Sequence, residues 1–271
     1  MTLLQALALG VLQGATEFLP VSSSGHLVLV PWLLGWEDPG IVFDTTVHLG
    51  TLVAVLAYFW RDLASLALAW FRSLSHRDPE DDQARLAWLL VLGTVPAALV
   101  GYLLESFFER LFGRPLYVSL LLVLTGLVLV LSEHLAKGRR RLASLGWRDA
   151  LIIGLAQTCA IAPGISRSGA TIAGGLIRGL RREEAARFSF LLSTPLILGT
   201  GIFKLLDVLS ANSFSGQWTV LLMGFVASAV SGYSFIRFLM IYLRNHKLYP
   251  FAIYCGCVGI AGTAIALCGV R

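Results

Sequence analysis

Six stretches of the chain stay apolar over long windows: 44–60, 86–105, 115–133, 188–206, 218–241 and 249–269. Each reaches the ~17–25 residues that a helix needs to cross a bilayer. Two other regions, 2–35 and 148–180, behave differently. Each holds two apolar pieces too short to span. The pieces are split by a Pro/Ser/Gly turn that a helix does not continue through comfortably. The pattern predicts an all-α polytopic membrane protein with six transmembrane helices and two re-entrant helical hairpins.

The two interrupted regions resemble each other. Gln13 to Gly25 and Gln157 to Gly169 cover the same number of residues, and they end Ser22-Ser23-Ser24-Gly25 and Ser166-Arg167-Ser168-Gly169. Further on, Gly93–Tyr102 matches Gly224–Tyr233 at five of ten positions. Two matches in the same order point to an internal duplication, about 1–135 and 146–271, within a single integral membrane domain of residues 1–271. One hairpin and three spans per half would invert the second half against the first. In such repeats the paired broken helices mark the binding site.

Composition agrees. The 271 residues are 56% hydrophobic and 14% charged, with a mean hydropathy of +0.77. Lipid tolerates only helices and closed barrels. A barrel would alternate in ten-residue segments, and these runs are continuous. The longest polar connection, about 72–85, leaves no room for a soluble domain. The first basic residue is Arg61, so Leu3–Leu12 lacks the charged start of a signal peptide and is expected to be structure. The four cysteines, Cys159, Cys255, Cys257 and Cys268, lie in apolar segments and are expected to be small buried hydrophobes.

The net charge of +5 is read as topology, with no nucleic-acid partner. Basic residues crowd one set of loops: Arg61, Arg72, Arg77 and Arg85, then Lys137–Arg148, Arg178–Arg187 and Arg244–Lys247. The other side carries Arg110, Arg114 and Arg271 with Glu37, Asp38, Glu105 and Glu109. The positive-inside rule makes the first side cytoplasmic. Both termini then lie outside. The first hairpin enters from the outer face and the second from the cytoplasm.

The candidate chemistry sits in the hairpin turns. Ionisable groups at membrane depth are costly and mark function by default. Arg167 is the single basic residue between Arg148 and Arg178. Its planar fork suits phosphate oxygens, or a pair with Glu17 across the hairpins. A helix restarting near Ser168 would aim free N–H groups at the same anion. Gln13 and Glu17, four apart, share a helix face. With a phosphate they suit a hard cation, Mg²⁺ or Ca²⁺. Ser22, Ser23 and Ser24 are caps or phosphate donors, with a serine nucleophile among them. His26 is a base, an acid, a second nucleophile or a satisfied buried histidine. Asp44 and His48 carry a weaker signal, Glu133-His134 is expected to be solvated at a span end, and Lys204 and Arg237 are expected to snorkel.

Gln13-Gly-Ala-Thr-Glu17-Phe-Leu-Pro-Val-Ser-Ser-Ser-Gly-His26 and Pro163-Gly-Ile-Ser-Arg-Ser-Gly-Ala-Thr171 together resemble the two signatures of the bacterial undecaprenyl-diphosphate phosphatases, the bacitracin-resistance family. The likeness extends through the basic loop at 137–148 and Glu184–Leu192. It implies hydrolysis of undecaprenyl diphosphate to undecaprenyl phosphate and phosphate in the bacterial plasma membrane, with bacitracin resistance. It places the acidic motif on Gln13 and Glu17, the serine on Ser23, the histidine on His26 and the phosphate-binding segment on Ser166, Arg167, Ser168 and Thr171. It implies a divalent cation and a site open to the outer face. Some members have Glu where this chain has Gln13, which weakens that position as an ionised metal ligand. The expected partners are a polyprenyl diphosphate lipid and the bilayer, with a homodimer left open. The expected mechanism has Ser23 attack with help from His26 or Glu17. Attack by water or by His26 itself is the second chemistry. A transporter or flippase of a polyprenyl phosphate lipid is the second class of function.

Overall fold

The computed structural model describes residues 1–269 apart from 77, 79, 105, 106, 109, 110, 112 and 211–217, and it leaves the side chains of 203–210 undescribed. Arg77, Glu105, Glu109, Arg110, Arg271 and the side chain of Lys204 lie outside the described residues.

The described chain is helical. Its elements are α1 (Leu3–Phe18), α2 (Ser23–Leu34), α3 (Gly40–Tyr58), α4 (Trp60–Ser75), α5 (Asp82–Leu103), α6 (Pro115–Leu135), α7 (Trp147–Cys159), α8 (Arg167–Ile177), α9 (Arg182–Ser210), α10 (Trp218–Tyr242) and α11 (Tyr249–Leu267), with a 3₁₀ turn at Leu142–Ser144. Among the described residues the one β contact is an isolated bridge between Arg140 and Leu180. Six helices are long and apolar enough to cross a membrane: α3, α5, α6, α9 over Arg182–Ile202, α10 and α11. They coincide with the six apolar runs.

The interrupted regions are two helical hairpins. A capping box starts α1, with Thr2 Oγ1 accepting from Gln5 N and Gln5 Oε1 from Thr2 N. Pro20 lies just past its end, where the ring denies a further amide. A left-handed Gly35 closes α2. These helices have 16 and 12 residues, and α7 and α8 have 13 and 11. At 1.5 Å per residue none reaches a ~30 Å hydrocarbon core, as a re-entrant arrangement requires.

Each hairpin's first helix packs on a span from the other half of the chain. A Cβ on Gly10 of α1 would meet Gly224 O of α10 at 2.6 Å, and one on Gly14 would meet Ser231 Oγ at 2.0 Å. A Cβ on Gly154 of α7 would meet Gly93 O of α5 at 2.4 Å. Helices share no hydrophobic drive to associate in lipid, so close backbone approach through small residues does that work. Phe18, at the end of α1, sits edge-on to Phe190 of α9 at 5.4 Å in the main core.

The structure adds one helix and corrects two expectations. Apolar runs do not reveal α4, because Arg61, Asp62, Ser65, Arg72 and Ser73 interrupt its apolar residues. Of the four cysteines only Cys255 is buried. The other three sit on outward faces that are as apolar as the core, where lipid serves as well as protein. Glu133 is 6% exposed rather than solvated. It accepts from Arg182 Nε at 2.8 Å and from Leu248 N at 2.9 Å, and so ties α6 to the start of α9 and to the cap of α11.

A candidate active site between two hairpin turns

Both hairpins restart their second helix with the same device. Ser22 caps α2, its Oγ accepting from Gly25 N at 3.2 Å. Ser166 caps α8, its Oγ accepting from Gly169 N at 3.0 Å. Ser23 and Arg167 are therefore the first residues of the two helices. The turns touch: a Cβ on Gly25 would meet Gly164 Cα at 3.2 Å, and one on Gly169 would meet Pro20 Cβ at 3.5 Å. Neighbouring spans pin each turn. Thr125 of α6 donates to Gly164 O at 2.9 Å and accepts from Ser166 N at 3.1 Å. Cys255 of α11 points its thiol at Pro20 O at 3.6 Å.

Glu17, 7% exposed, is the centre of the site. Its Oε1 accepts from Arg167, forming an ion pair between the hairpins. Its Oε2 accepts from Ser23 Oγ and, at 3.0 Å, from Gln13 Nε2. Of the two readings open for Arg167, the structure contains the pair with Glu17. That contact uses one N–H direction of a fork with five donors. The site thus joins a hydroxyl, a carboxylate that accepts from it, a guanidinium and two helix N-termini. That is the equipment for bringing a nucleophile to an anionic group.

Gln13, Glu17, Ser23 and Arg167 come together. The other candidates stand around them. Ser24 Oγ lies 3.4 Å from Ser22 Oγ. Ser168 Oγ lies 3.1 Å from Ser166 Oγ and donates to Leu19 O at 3.0 Å. Thr171 donates to Arg167 O at 2.7 Å and lies 2.5 Å from Ser189 Oγ. His26 lies 2.8 Å from Ser22 O through Nδ1 and 2.8 Å from Tyr254 OH through Nε2. Ser23's hydroxyl goes to Glu17 rather than to His26.

Two residues join from outside the hairpins. His48 of α3 places Nε2 3.9 Å from Glu17 Oε2 and Nδ1 2.8 Å from Asp44 O. Its one signal in the sequence is the four-residue spacing from Asp44. Tyr254, on α11, has no local signal at all.

The fold and site define a polytopic helical membrane protein with a partly buried serine–carboxylate–arginine cluster at two paired hairpin turns. The family model described as "Bacitracin resistance protein BacA" matches residues 6–261. The chain is 44% identical to an undecaprenyl-diphosphatase of Pelobacter propionicus over 100% of its own length and 99% of that protein. It is 49% identical to one of Rubrobacter xylanophilus, covering 93% and 94% of the two chains. A third, from Desulforudis audaxviator, is 46% identical over 97% of each. This chain belongs to the bacitracin resistance protein BacA family.

Proposed function

We propose that this protein hydrolyses undecaprenyl diphosphate to undecaprenyl phosphate and inorganic phosphate. The reaction recycles the lipid carrier of cell-wall synthesis and depletes the form that bacitracin binds. One observation carries the reading at the level of the site: Ser23 Oγ donates to a Glu17 carboxylate that Arg167 holds from the other hairpin. A transporter needs an anchor for its cargo but no hydroxyl matched to a base.

In this mechanism Ser23 Oγ attacks the terminal phosphorus and Glu17 takes its proton. The phosphoanhydride bond breaks and undecaprenyl phosphate departs. Glu17 passes that proton to the departing phosphate oxygen and is a carboxylate again; it then deprotonates a water that attacks the phosphoserine, and the proton taken from that water returns to Ser23 Oγ as phosphate leaves. Arg167 swings its remaining donors onto the phosphoryl oxygens, beside the N-termini of α2 and α8. Preorganised donors of this kind supply much of phosphoryl-transfer catalysis. Ser22, Ser24, Ser166 and Ser168 ring the anion, with Thr171 one turn behind. His26 and attack by water remain the second chemistry.

The donor set fits a hard cation. Gln13 Oε1 is buried and has no partner, next to the Glu17 carboxylate. Two such oxygens suit Mg²⁺ or Ca²⁺. Among the described residues no three His, Cys, Asp or Glu side chains gather, so the diphosphate's oxygens would complete the shell. A bound cation would neutralise charge on the diphosphate.

The protein is a multi-pass membrane protein with, in this reading, both termini outside and the site open to the outer face. The basic loops support it by the positive-inside rule, and their arginines are held in ion pairs, Arg140 and Arg178 on Asp149, Arg182 on Glu133, Arg187 on Asp62 and Arg244 on Glu183. A reporter fused after Arg271 and found in the cytoplasm would overturn it. Every site residue comes from one chain, so the reading asks nothing of a homodimer.

The test is phosphate release from farnesyl diphosphate by purified protein with Mg²⁺. Ser23→Ala, Glu17→Gln and Arg167→Ala should each lose at least about a hundredfold in kcat, the scale of removing a nucleophile, its base or an oxyanion donor. Wild-type turnover at background would refute the hydrolase, and full activity in Ser23→Ala would refute the nucleophile.

A further inference from the structure

Resting on that reading, we propose that His26 is a positioning residue: clamped by Tyr254 of α11, it holds the Ser22 turn in a left-handed conformation and so sets Ser23 against Glu17. Ser22 has φ 71° and ψ 95°, the one positive φ among the described residues that are not glycine. A side chain there strains the backbone, and such strain persists only where the surroundings over-determine it. Here the restraint is visible. Ser22 O, at the far side of the strained residue, accepts from His26 N at 3.2 Å and lies 2.8 Å from His26 Nδ1.

A carbonyl can only accept, so Nδ1 carries the ring proton. The neutral ring's lone pair is then on Nε2, where it accepts from Tyr254 OH at 2.8 Å. The two rings lie parallel, 8° apart with centroids at 5.6 Å, which fixes the imidazole plane as well as its tautomer. The next residue, Cys255, meets Pro20 O, so α11 grips the turn at both ends. His26 is 3% exposed and has both nitrogens engaged, while Ser23 spends its hydroxyl on Glu17. A general base needs a nitrogen facing the nucleophile. This ring faces the turn beneath it.

The clamp and a catalytic base part company in a rescue experiment. Glycine takes φ 71° without help, and it is a tolerated N-cap in place of serine. His26→Gln should lower kcat for farnesyl diphosphate by about a hundredfold, the scale of a misplacement near the chemistry. Tyr254→Phe, which keeps the stack and loses the hydroxyl, should lower kcat about tenfold, the scale of a ~1.4 kcal/mol change, with KM within about twofold. Adding Ser22→Gly to His26→Gln should restore at least about tenfold, towards the level of Ser22→Gly alone. A double variant as inactive as His26→Gln would overturn the clamp and return His26 to the chemistry. Nitrogen-15 NMR of histidine-labelled wild type tests the same point without turnover. A resonance pair with Nδ1 protonated and Nε2 accepting, perturbed in Tyr254→Phe, supports the clamp, and an Nε2–H tautomer overturns it. If wild type releases no phosphate, the hydrolase reading fails while the NMR result still decides this one.

Discussion

Replacing Arg167 with methionine should cost stability through Glu17 rather than through Arg167. Methionine fills similar volume but leaves a carboxylate that is 5% exposed without its counter-charge. Breaking a buried pair by removing one partner typically costs about 3–5 kcal/mol. Gln13 and Ser23 still donate to the carboxylate, which puts the expectation at the lower end, about 3 kcal/mol. At roughly 2–4 °C per kcal/mol for a chain of this size, the midpoint should fall by about 6–12 °C. Adding Glu17→Gln removes the stranded charge, so the double variant should recover at least about 2 kcal/mol while remaining inactive. The assay is thermal unfolding in detergent, followed by tryptophan fluorescence for wild type, both single variants and the double. A single Arg167→Met variant within about 2–4 °C of wild type, or a double no more stable than that single, would refute the reasoning.

Two further outcomes follow from the packing and the loops. Gly154→Ala places a Cβ 2.4 Å from Gly93 O and should cost about 1–3 kcal/mol, because backbone rather than a flexible side chain must move. Gly256→Ala, with nothing within 4 Å, should be neutral or slightly stabilising in the same unfolding assay. Asp149, at the loop mouth before the body of α7, has its pKa raised by burial but lowered further by Arg140, Gly146 N and Arg178, to about 2. A depressed carboxyl stabilises the fold above its unfolded pKa of about 4 and loses that as pH falls towards 2. Asp149→Asn should therefore cost about 2 kcal/mol at neutral pH. Unfolding measured down the pH scale should show its deficit against wild type closing between about pH 4 and pH 2.

The spans were legible because hydropathy over some twenty residues records the bilayer directly. Their starts were not. Asp82–Arg85 and Arg182–Arg187 are helical but charged, so the apolar runs begin a turn late at α5 and α9. The helix α4 escaped for the related reason that it is half polar. At the site, the four-residue spacing of Gln13 and Glu17 foretold a shared face, and their side chains are hydrogen-bonded. The pair with Glu17 was one of two readings for Arg167, since a charge at membrane depth demands a partner and the facing hairpin turn supplies one. His48 carried only the weak signal of its spacing from Asp44, and Tyr254 carried none. Both come from spans whose rotation about their own axes is set by packing, which local spacing does not record.

The reciprocal glycine contacts have a consequence for how the protein is made. Gly10 waits for Gly224, and Gly93 waits for Gly154. The helix α1 is too short to settle across a membrane, and its docking surface on α10 is synthesised only after α2 to α9. Until then α1 has neither a bilayer length nor a packing partner. The helices therefore cannot pack in the order in which they are made. A nascent protein truncated after α9 should hold α1 loosely, as a client for insertion machinery and quality-control proteases, and the site should close only once α10 has been made.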